Sequence, residues 1–332
     1  MNEYYNPNDM LSKNRAMNMV LGARGIGKTY SIKKYTINNF LKKGKKFIYL
    51  TRYTNDLKFL KSSAYDDVAG EFASKGIEVV TKGLNIYVNG EIAGEIMALS
   101  QDTKIKKIAR PDTDVIVYDE FLQEIGSRYL PREPERLLGI ASSIFRRREN
   151  CKIICLSNTV EYINPYFEYF DVMPDRDKRF NLYETMCIEF PPSSDYYNNK
   201  DNFTKFELLM SNTSYGQYAL QGKFGDTDNN NLRDLDKFDR CRYTIVYNGV
   251  KYGVWVALDD QLTVTISTKY DPSVQHFALT LDDQSDEASY KSWYESKLPQ
   301  TLGKARNVNK IYFDNIKTRK NAYKFLKKVG IY

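Results

Sequence analysis

The segment GARGIGKT, from Gly22 to Thr29, has the residue types and spacing of a triphosphate-binding loop. It fits the pattern G-x-x-x-x-G-K-[ST] in full. Its glycines let successive N–H groups face a phosphate, its lysine reaches the β and γ phosphates, and its threonine ligates Mg²⁺. The segment therefore predicts a site for ATP and Mg²⁺. The predicted contacts are Gly22, Ala23, Arg24, Gly25, Ile26, Gly27, Lys28, Thr29 and Tyr30.

An acidic pair follows a second apolar run, VIVYDEF. Asp119 is expected at the carboxyl end of a buried strand beside the phosphate loop, where a carboxylate can hold Mg²⁺. Glu120 then points to the γ-phosphate side. There it is suited to orient and polarise an attacking water molecule. Together the two motifs predict an ATP-hydrolysing site.

Each of the other polar residues has two possible interpretations. Ser157 and Asn158 end the run KIICLSN, where they sense the γ-phosphate or only cap a strand. Arg24 contacts phosphate from within its own loop, or faces solvent. Arg146 reaches the γ-phosphate of a neighbouring subunit, or stabilises a helix C-terminus together with Arg147 and Arg148. The sequence leaves each choice open.

The elements that must position these residues alternate between strand and helix. The runs MNMVLG, FIYLTR, DVIVYDEF and KIICLSN lack polar alternation, as strands buried on both faces do. The pattern predicts βαβ units and a parallel sheet covered on both faces, an α/β fold. Apolar residues from Leu137 to Phe145 recur at helical spacing, which predicts a helix that ends near Arg146.

The last hundred residues have a different pattern. RYTIVYNG, KYGVWVAL and LTVTIST are short β-rich runs separated by turn residues, which predicts an antiparallel meander. Helices are predicted at Ser285 to Leu298 and at Thr318 to Lys328, with the strand IYFDN between them. This part should form a mixed α/β domain.

Composition limits the class of protein. The chain has 332 residues, 42% of them hydrophobic, and no apolar run approaches a membrane span. The N-terminal residues lack a secretory pattern, so we expect a cytoplasmic location. Four cysteines without a C-x-x-C pair and the single histidine, His276, give poor support for a zinc site.

Charge and linkers divide the chain. Polar stretches at residues 191–202 and 225–231 predict domains at 1–192 and 232–332 with a small helical lobe at 193–231. From Lys297 to Tyr332 ten basic residues face a single acid, whereas the whole chain has a net charge of +7. The C-terminal end therefore either binds a polyanion or presents a solvated lysine-rich face.

The order of these motifs resembles that of the DNA-packaging ATPases of φ29-type tailed bacteriophages. The similarity rests on GARGIGKT, VIVYDEF, IFRRRE, CLSN, IVYNG and GVWV, and it spans nearly the whole chain. It implies an ATPase domain of the additional-strand, catalytic-glutamate class of P-loop NTPases, then a linker lobe and a vestigial RNase H-like domain. It also implies that Arg146 is the arginine finger in trans and that Arg52 is a lid residue near the nucleotide.

The same resemblance implies partners and a location. The protein should form a ring, a homopentamer, on the portal of an empty procapsid in the host cytoplasm, bound through a packaging RNA, and be absent from the mature virion. Its substrate should be double-stranded DNA.

Large terminases with such a second domain cut DNA with clustered carboxylates on metal ions. The corresponding strand here, YGVWVAL, contains no Asp, and Asp259 and Asp260 fall in the following turn. We therefore expect no nuclease activity, with Asp282, Asp283 and Asp314 as the remaining ligand candidates.

DNA contacts are predicted just before the strand VIVYDEF. A motor that moves along any sequence should grip phosphates rather than bases. The segment SQDTKIKKIARPD offers Lys104, Lys106, Lys107 and Arg110, which contact DNA in the pore, face the neighbouring ATP site, or are solvated.

Two other functions compete with a DNA translocase. A single-strand helicase would use aromatic stacking platforms, which the dispersed tyrosines do not define. A nucleotide-gated assembly scaffold would have little need for a base at Glu120.

Overall fold

The computed structural model describes residues 5–123, 128–158, 164–192, 204–211, 213, 231–290 and 293–331. These residues divide into two compact units. The first contains 5–123, 128–158, 174–192, 204–211 and 213, and the second contains 164–173, 231–290 and 293–331. Most of the two predicted polar linkers lies outside the described residues, so the boundaries after residues 192 and 231 stay predictions.

Strands of the first unit form one mostly parallel sheet. They are β1 (Met17–Leu21), β2 (Lys46–Thr51), β3 (Val79–Lys82), β4 (Asn85–Val88), β5 (Glu91–Ala98), β6 (Thr113–Asp119), β7 (Lys152–Ser157), β8 (Phe180–Leu182) and β9 (Met186–Glu189). Their spatial order is β3-β4-β5-β2-β6-β7-β1-β9-β8. Six neighbouring strands in this order run parallel: β5, β2, β6, β7, β1 and β9. Strands β3, β4 and β8 pair antiparallel with their neighbours at the two edges.

The four strands predicted in this region are confirmed as β1, β2, β6 and β7. Strand β7 lies between β1 and β6, which is the additional strand that the resemblance implies. The β3–β4–β5 meander was not predicted. Its signal was the dipeptide Asn89-Gly90, whose residues both have positive φ, as a tight hairpin turn requires.

Both units contain helices. In chain order they are α1 (Asn8–Leu11), α2 (Lys28–Lys43), α3 (Leu57–Leu60), α4 (Asp66–Ala73), α5 (Asp102–Ile105), α6 (Glu133–Phe145), α7 (Pro165–Tyr169), α8 (Lys205–Ser211), α9 (Leu298–Asn307) and α10 (Ile316–Lys328). Helix α6 confirms the helix predicted from the apolar stripe. Helix α8 lies in the predicted helical lobe, most of which lies outside the described residues.

One continuous core joins the sheet to its helices. Each of the four central strands contributes to this core: β1 with Val20, β7 with Ile154, β6 with Val117 and β2 with Tyr49. Ile37 of α2 packs into the same cluster. The carboxyl ends of the parallel strands meet at one edge of the sheet.

The second unit contains a mixed sheet. Its strands are β10 (Arg240–Tyr247), β11 (Val250–Val256), β12 (Val264–Ser267), β13 (His276–Ala278), β14 (Ala288–Ser289) and β15 (Ile311–Phe313), in the order β14-β13-β10-β11-β12-β15. The antiparallel meander of β10, β11 and β12 is confirmed, and β13 pairs parallel to β10. This arrangement agrees with an RNase H-like α/β domain.

One predicted helix of the second unit is wrong. The described residues between Ser285 and Lys297 form β14 and turns, and α9 begins at Leu298. Pro299 lies in the first turn of α9, where its missing N–H group and fixed φ suit a helix start. Helix α10 confirms the other prediction, two residues earlier than expected.

None of the described helices combines the length and apolarity that a bilayer crossing requires.

The absence of a side chain at Gly94 lets β5 lie against the Phe47 ring of β2. A Cβ atom at Gly94 would come within 2.5 Å of that ring. We expect Gly94→Ala to lower the free energy of unfolding by about 1–3 kcal/mol, because the ring must move. Gly70 of α4 has open space around its Cα, so Gly70→Ala should instead gain roughly 0.5–1 kcal/mol. Urea unfolding of both variants checks this, and equal stabilities would contradict it.

Candidate functional site

The phosphate loop connects β1 to α2 at the carboxyl edge of the sheet. Gly25 and Gly27 have φ values of 78° and 81°, in the left-handed region that glycine adopts without steric cost. Gly27 is the N-cap of α2, so the loop passes directly into a helix N-terminus. Backbone N–H groups and the helix dipole therefore favour an anion at this point.

Lys28 is buried against its own loop. Its Nζ donates to the backbone oxygens of Gly22 and Ala23 at 2.8 and 2.6 Å. It also donates to Oδ1 of Asn158 at 2.9 Å, at the end of β7. Burial lowers the pKa of Lys28 to about 8; the charge of Asp119 opposes this shift and that of Arg24 adds to it.

Thr29 and Asp119 bring two hard oxygen ligands together. Oγ1 of Thr29 donates to Oδ2 of Asp119 at 3.0 Å. Tyr49 donates to the same Oδ2 at 2.6 Å, and the backbone N–H of Glu120 donates to Oδ1 at 3.0 Å. Hydroxyl and carboxylate oxygens beside a phosphate loop fit Mg²⁺, which takes few protein ligands and shares the rest with phosphate and water.

Glu120 lies at the turn that leaves β6. Its φ of 52° is in the left-handed region, which is uncommon for a residue other than glycine. Such backbone conformations cluster at active sites when surrounding contacts fix them. The side chain of Glu120 is exposed, as a residue that orients water requires.

Arg52 holds this turn in place through hydrogen bonds to its main chain. Its guanidinium donates to the carbonyl oxygens of Glu120 and Phe121 at 3.0 and 2.6 Å. It also forms a two-point ion pair with Glu133, whose Oε2 and Oε1 lie 2.9 and 3.0 Å away. Arg52 is 4% exposed and Glu133 is fully buried. The donors of Arg52 are thus engaged inside the protein, next to the turn of Glu120. Its role as a lid residue near the nucleotide stays a prediction.

The arginine cluster after α6 divides by role. Arg148 donates to the carbonyl oxygens of Thr113 and Ile144, so it ties the end of α6 to the start of β6. Arg146 is the C-cap residue, with a φ of 51°, and its side chain is exposed. Arg148 therefore contacts the helix terminus, and Arg146 extends into solvent.

Residues predicted to contact DNA differ in their surroundings. Lys104 and Lys107 are exposed. Lys106 pairs with Asp102 at 2.8 Å. Arg110 pairs with Glu95 at 3.1 Å and donates to the carbonyl oxygen of Ile105. Its contact with DNA stays a prediction.

Remaining predicted contacts lie around the loop. Tyr30 of α2 donates to Glu71 of α4 at 2.6 Å, and Arg24 is half-buried on the loop. Asn158 contacts Lys28, and Ser157 accepts a hydrogen bond from the Gly22 N–H group through its carbonyl oxygen. The structure thus brings Asn158 to the loop lysine.

Sequence reasoning missed Tyr49 and Glu133. A tyrosine within the apolar strand FIYLT was a usable signal for Tyr49, because a buried hydroxyl needs a partner. Glu133 resembles an ordinary acidic residue of a helix first turn. Its pairing with Arg52 depends on the fold.

Comparisons with known proteins agree over the whole chain. The family model described as Podovirus DNA encapsidation protein (Gp16) matches residues 1–331. The DNA packaging protein of Bacillus phage phi29 is 39% identical over 334 residues, covering 99% of this chain and 98% of that protein.

Two solved structures are also similar. A chain of the bacteriophage Phi-29 viral genome packaging motor assembly is 38% identical with a TM-score of 0.66, over 98% of this chain and 99% of that one. The N-terminal domain of the DNA packaging ATPase from bacteriophage phi29 is 45% identical with a TM-score of 0.55. It covers 58% of this chain and 98% of that one.

Triphosphate binding should weaken as pH rises through the pKa of Lys28. The loop lysine attracts phosphate only when protonated, and a pKa of about 8 leaves it mostly neutral at pH 9. Between pH 7.5 and 9 the apparent Kd of a metal-free fluorescent ATP analogue should rise roughly eightfold. Lys28→Arg is the control, since arginine stays charged and its Kd should stay flat. A flat profile for wild type would contradict the assignment.

Proposed function

The chain belongs to the Podovirus DNA encapsidation protein (Gp16) family, and on this premise we propose that it hydrolyses ATP to drive double-stranded DNA through a portal into a preformed procapsid. The observation that carries the proposal is the cluster of Lys28, Thr29, Asp119 and Glu120 at one sheet edge. Phosphate-binding, metal-binding and water-orienting groups are thus within one site.

The nucleotide-binding half would use the loop amides and Lys28. A γ-phosphate would replace the carbonyl and amide oxygens that Lys28 now contacts. Mg²⁺ held near Thr29 and Asp119 would neutralise charge on the phosphate oxygens. Asn158, released from Lys28, would be placed to respond to the presence of the γ-phosphate.

The hydrolytic half would use Glu120. Its carboxylate orients the attacking water and accepts its proton as the water oxygen bonds to the γ-phosphorus and the bond to ADP breaks. Arg52 supports this step through the main chain, since it holds the carbonyl oxygens of Glu120 and Phe121. The turn that bears Glu120 is therefore held in place by Arg52.

ATP sites at subunit interfaces fit the exposed Arg146. We propose a ring, a homopentamer, in which Arg146 of one subunit reaches the γ-phosphate bound by the next. Arg148 already contacts the carbonyl oxygens at the end of α6, which leaves Arg146 available for this contact. An arginine finger contributes about 10³–10⁵ in turnover, so hydrolysis would depend on assembly.

Phosphate contacts to DNA are proposed for Lys104 and Lys107, both exposed at α5 and the turn that follows it. Lys106 is placed by Asp102 and packs over Gly139 of α6, where a Cβ atom would come within 2.5 Å of Nζ. The segment would therefore be anchored by Lys106 and would contact the DNA backbone with its neighbours.

The predicted C-terminal domain, residues 232–332, is proposed to dock the motor on the portal, through a packaging RNA, and to lack nuclease activity. Asp283 accepts from the backbone N–H groups of Asn248 and Gly249 at 2.9 and 2.8 Å. Asp314 accepts from Ser267 and Thr268 at 2.6 and 3.0 Å. Both carboxylates therefore stabilise turns. The protein would act at the portal vertex in the host cytoplasm.

Mixed rings test catalysis across an interface. Glu120→Gln should lose about 10²–10⁴ in turnover and Arg146→Ala about 10³–10⁵, because each removes one half of every site. In a mixed ring, some interfaces pair the Glu120 of an Arg146→Ala subunit with the Arg146 of a Glu120→Gln subunit. Such an interface has both groups and is complete. Phosphate release with procapsids and DNA should then exceed that of either variant.

The matched control is Arg147→Ala, which removes an adjacent exposed arginine and should keep near wild-type activity. If no mixing ratio restores hydrolysis, Arg146 does not act in trans. If Glu120→Gln alone turns over normally, Glu120 is not the catalytic base.

The salt dependence of DNA binding tests the lysines. Lys104→Ala combined with Lys107→Ala should reduce the slope of log K against log salt by about 0.9 for each DNA phosphate that the protein no longer neutralises. Lys42→Ala combined with Lys43→Ala removes the same charge from the C-terminal end of α2 and should leave the slope unchanged. Equal slopes for both double variants would rule out the assignment.

A further inference from the structure

Tyr49 approaches the metal-site carboxylate from inside the protein. Strand β2 pairs with β6, and Tyr49 is level with Val117, two residues before Asp119. The phenol therefore extends along the sheet to the strand end, where its hydroxyl donates to Oδ2 of Asp119 at 2.6 Å. This is shorter than the 3.0 Å hydrogen bond from Thr29 to the same oxygen.

The ring of Tyr49 is fixed by its neighbours. It is 5% exposed and packs edge to face against Tyr65, with ring centres 6.0 Å apart. The hydroxyl of Tyr65 lies 3.1 Å from that of Thr36 on α2. Nζ of Lys33, on the same helix, lies 5.9 Å from the Tyr49 ring and 5.5 Å from the Tyr65 ring. The phenol thus has little freedom to leave Asp119.

The hydroxyl of Tyr49 remains a donor over the working pH range. Burial, and after it the charge of Asp119, raise the pKa of Tyr49 well above its ordinary value. The nearby charges are Asp119 and Asp67, which disfavour phenolate, and Lys33, which also pairs with Asp67 at 3.0 Å. Asp119 therefore receives a hydrogen bond from an uncharged donor.

We propose that Tyr49 is a positioning residue for the divalent metal ion of the ATPase site, acting by holding the carboxylate of Asp119 in its metal-binding rotamer. The inference rests on the proposed function. With Thr29 and the N–H group of Glu120, Tyr49 completes three donors that fix both carboxylate oxygens. Loss of such an outer partner typically costs about 10–100-fold in metal affinity.

Tyr49→Phe tests the role because it keeps the ring and removes only the hydroxyl. Mn²⁺ binding in the presence of ADP, followed by electron paramagnetic resonance, should weaken about tenfold or more. The Mg²⁺ concentration that gives half-maximal ATPase activity should rise by a similar factor. Maximal turnover at saturating Mg²⁺ and ADP binding in EDTA should stay near wild type, because the catalytic groups and loop amides are intact.

Tyr65→Phe is the matched control. It removes another buried phenolic hydroxyl in the same cluster, one that bonds Thr36 instead of Asp119. It should leave Mn²⁺ affinity unchanged. Tyr49→Met provides a second variant without the hydroxyl, and thermal unfolding confirms that each protein is folded.

Unchanged Mn²⁺ affinity in folded Tyr49→Phe overturns the inference while leaving the proposed function intact. An equal loss in Tyr65→Phe also overturns it, since the effect would then come from packing. If wild-type protein binds neither Mn²⁺ with ADP nor nucleotide alone, the proposed function itself fails and the inference fails with it.

Discussion

The buried ion pair between Arg52 and Glu133 is the interaction on which the acidic half of the site, Asp119 and Glu120, depends. Two charges removed from water are tolerated only when each has a complete set of partners. Glu133 also accepts from the hydroxyl of Tyr118 and the N–H group of Leu130, at 2.9 and 2.8 Å. Because the remaining donors of Arg52 bond the main chain at Glu120 and Phe121, the pair connects β2, the turn after β6 and the start of α6.

The two halves of the site are built by different means. The phosphate half is local in sequence, since the loop glycines and Lys28 lie within one strand–loop–helix unit, and Lys28 also bonds Asn158 after β7. The acidic half is held by contacts from a separate strand, with Tyr49 on the carboxylate of Asp119 and Arg52 on the following main chain. Strand β2 and the residue that follows it, Arg52, thus position both members of the acidic pair.

This difference explains what could be predicted from sequence. The phosphate loop, the acidic strand end and the buried strands follow from motifs and apolar runs, which act over a few residues. The partner of Arg52 lies 81 residues away, and Tyr49 meets Asp119 through strand register, so neither contact has a local pattern. The pairing of Arg110 with Glu95 of β5 has no local pattern for the same reason. The helix expected at Ser285 failed because parallel strand pairing outweighed local preference.

Helix α6 begins with Glu133 and ends beside Arg146. Thirteen residues at 1.5 Å each make a rigid rod of about 20 Å. One end of this rod is anchored beneath the turn of Glu120, and the other carries the arginine proposed to enter the neighbouring site. If Arg146 makes the proposed contact, α6 would transmit force in both directions between neighbouring nucleotide sites. A strain at one site would then reach the next, and the sites around the ring would be mechanically coupled.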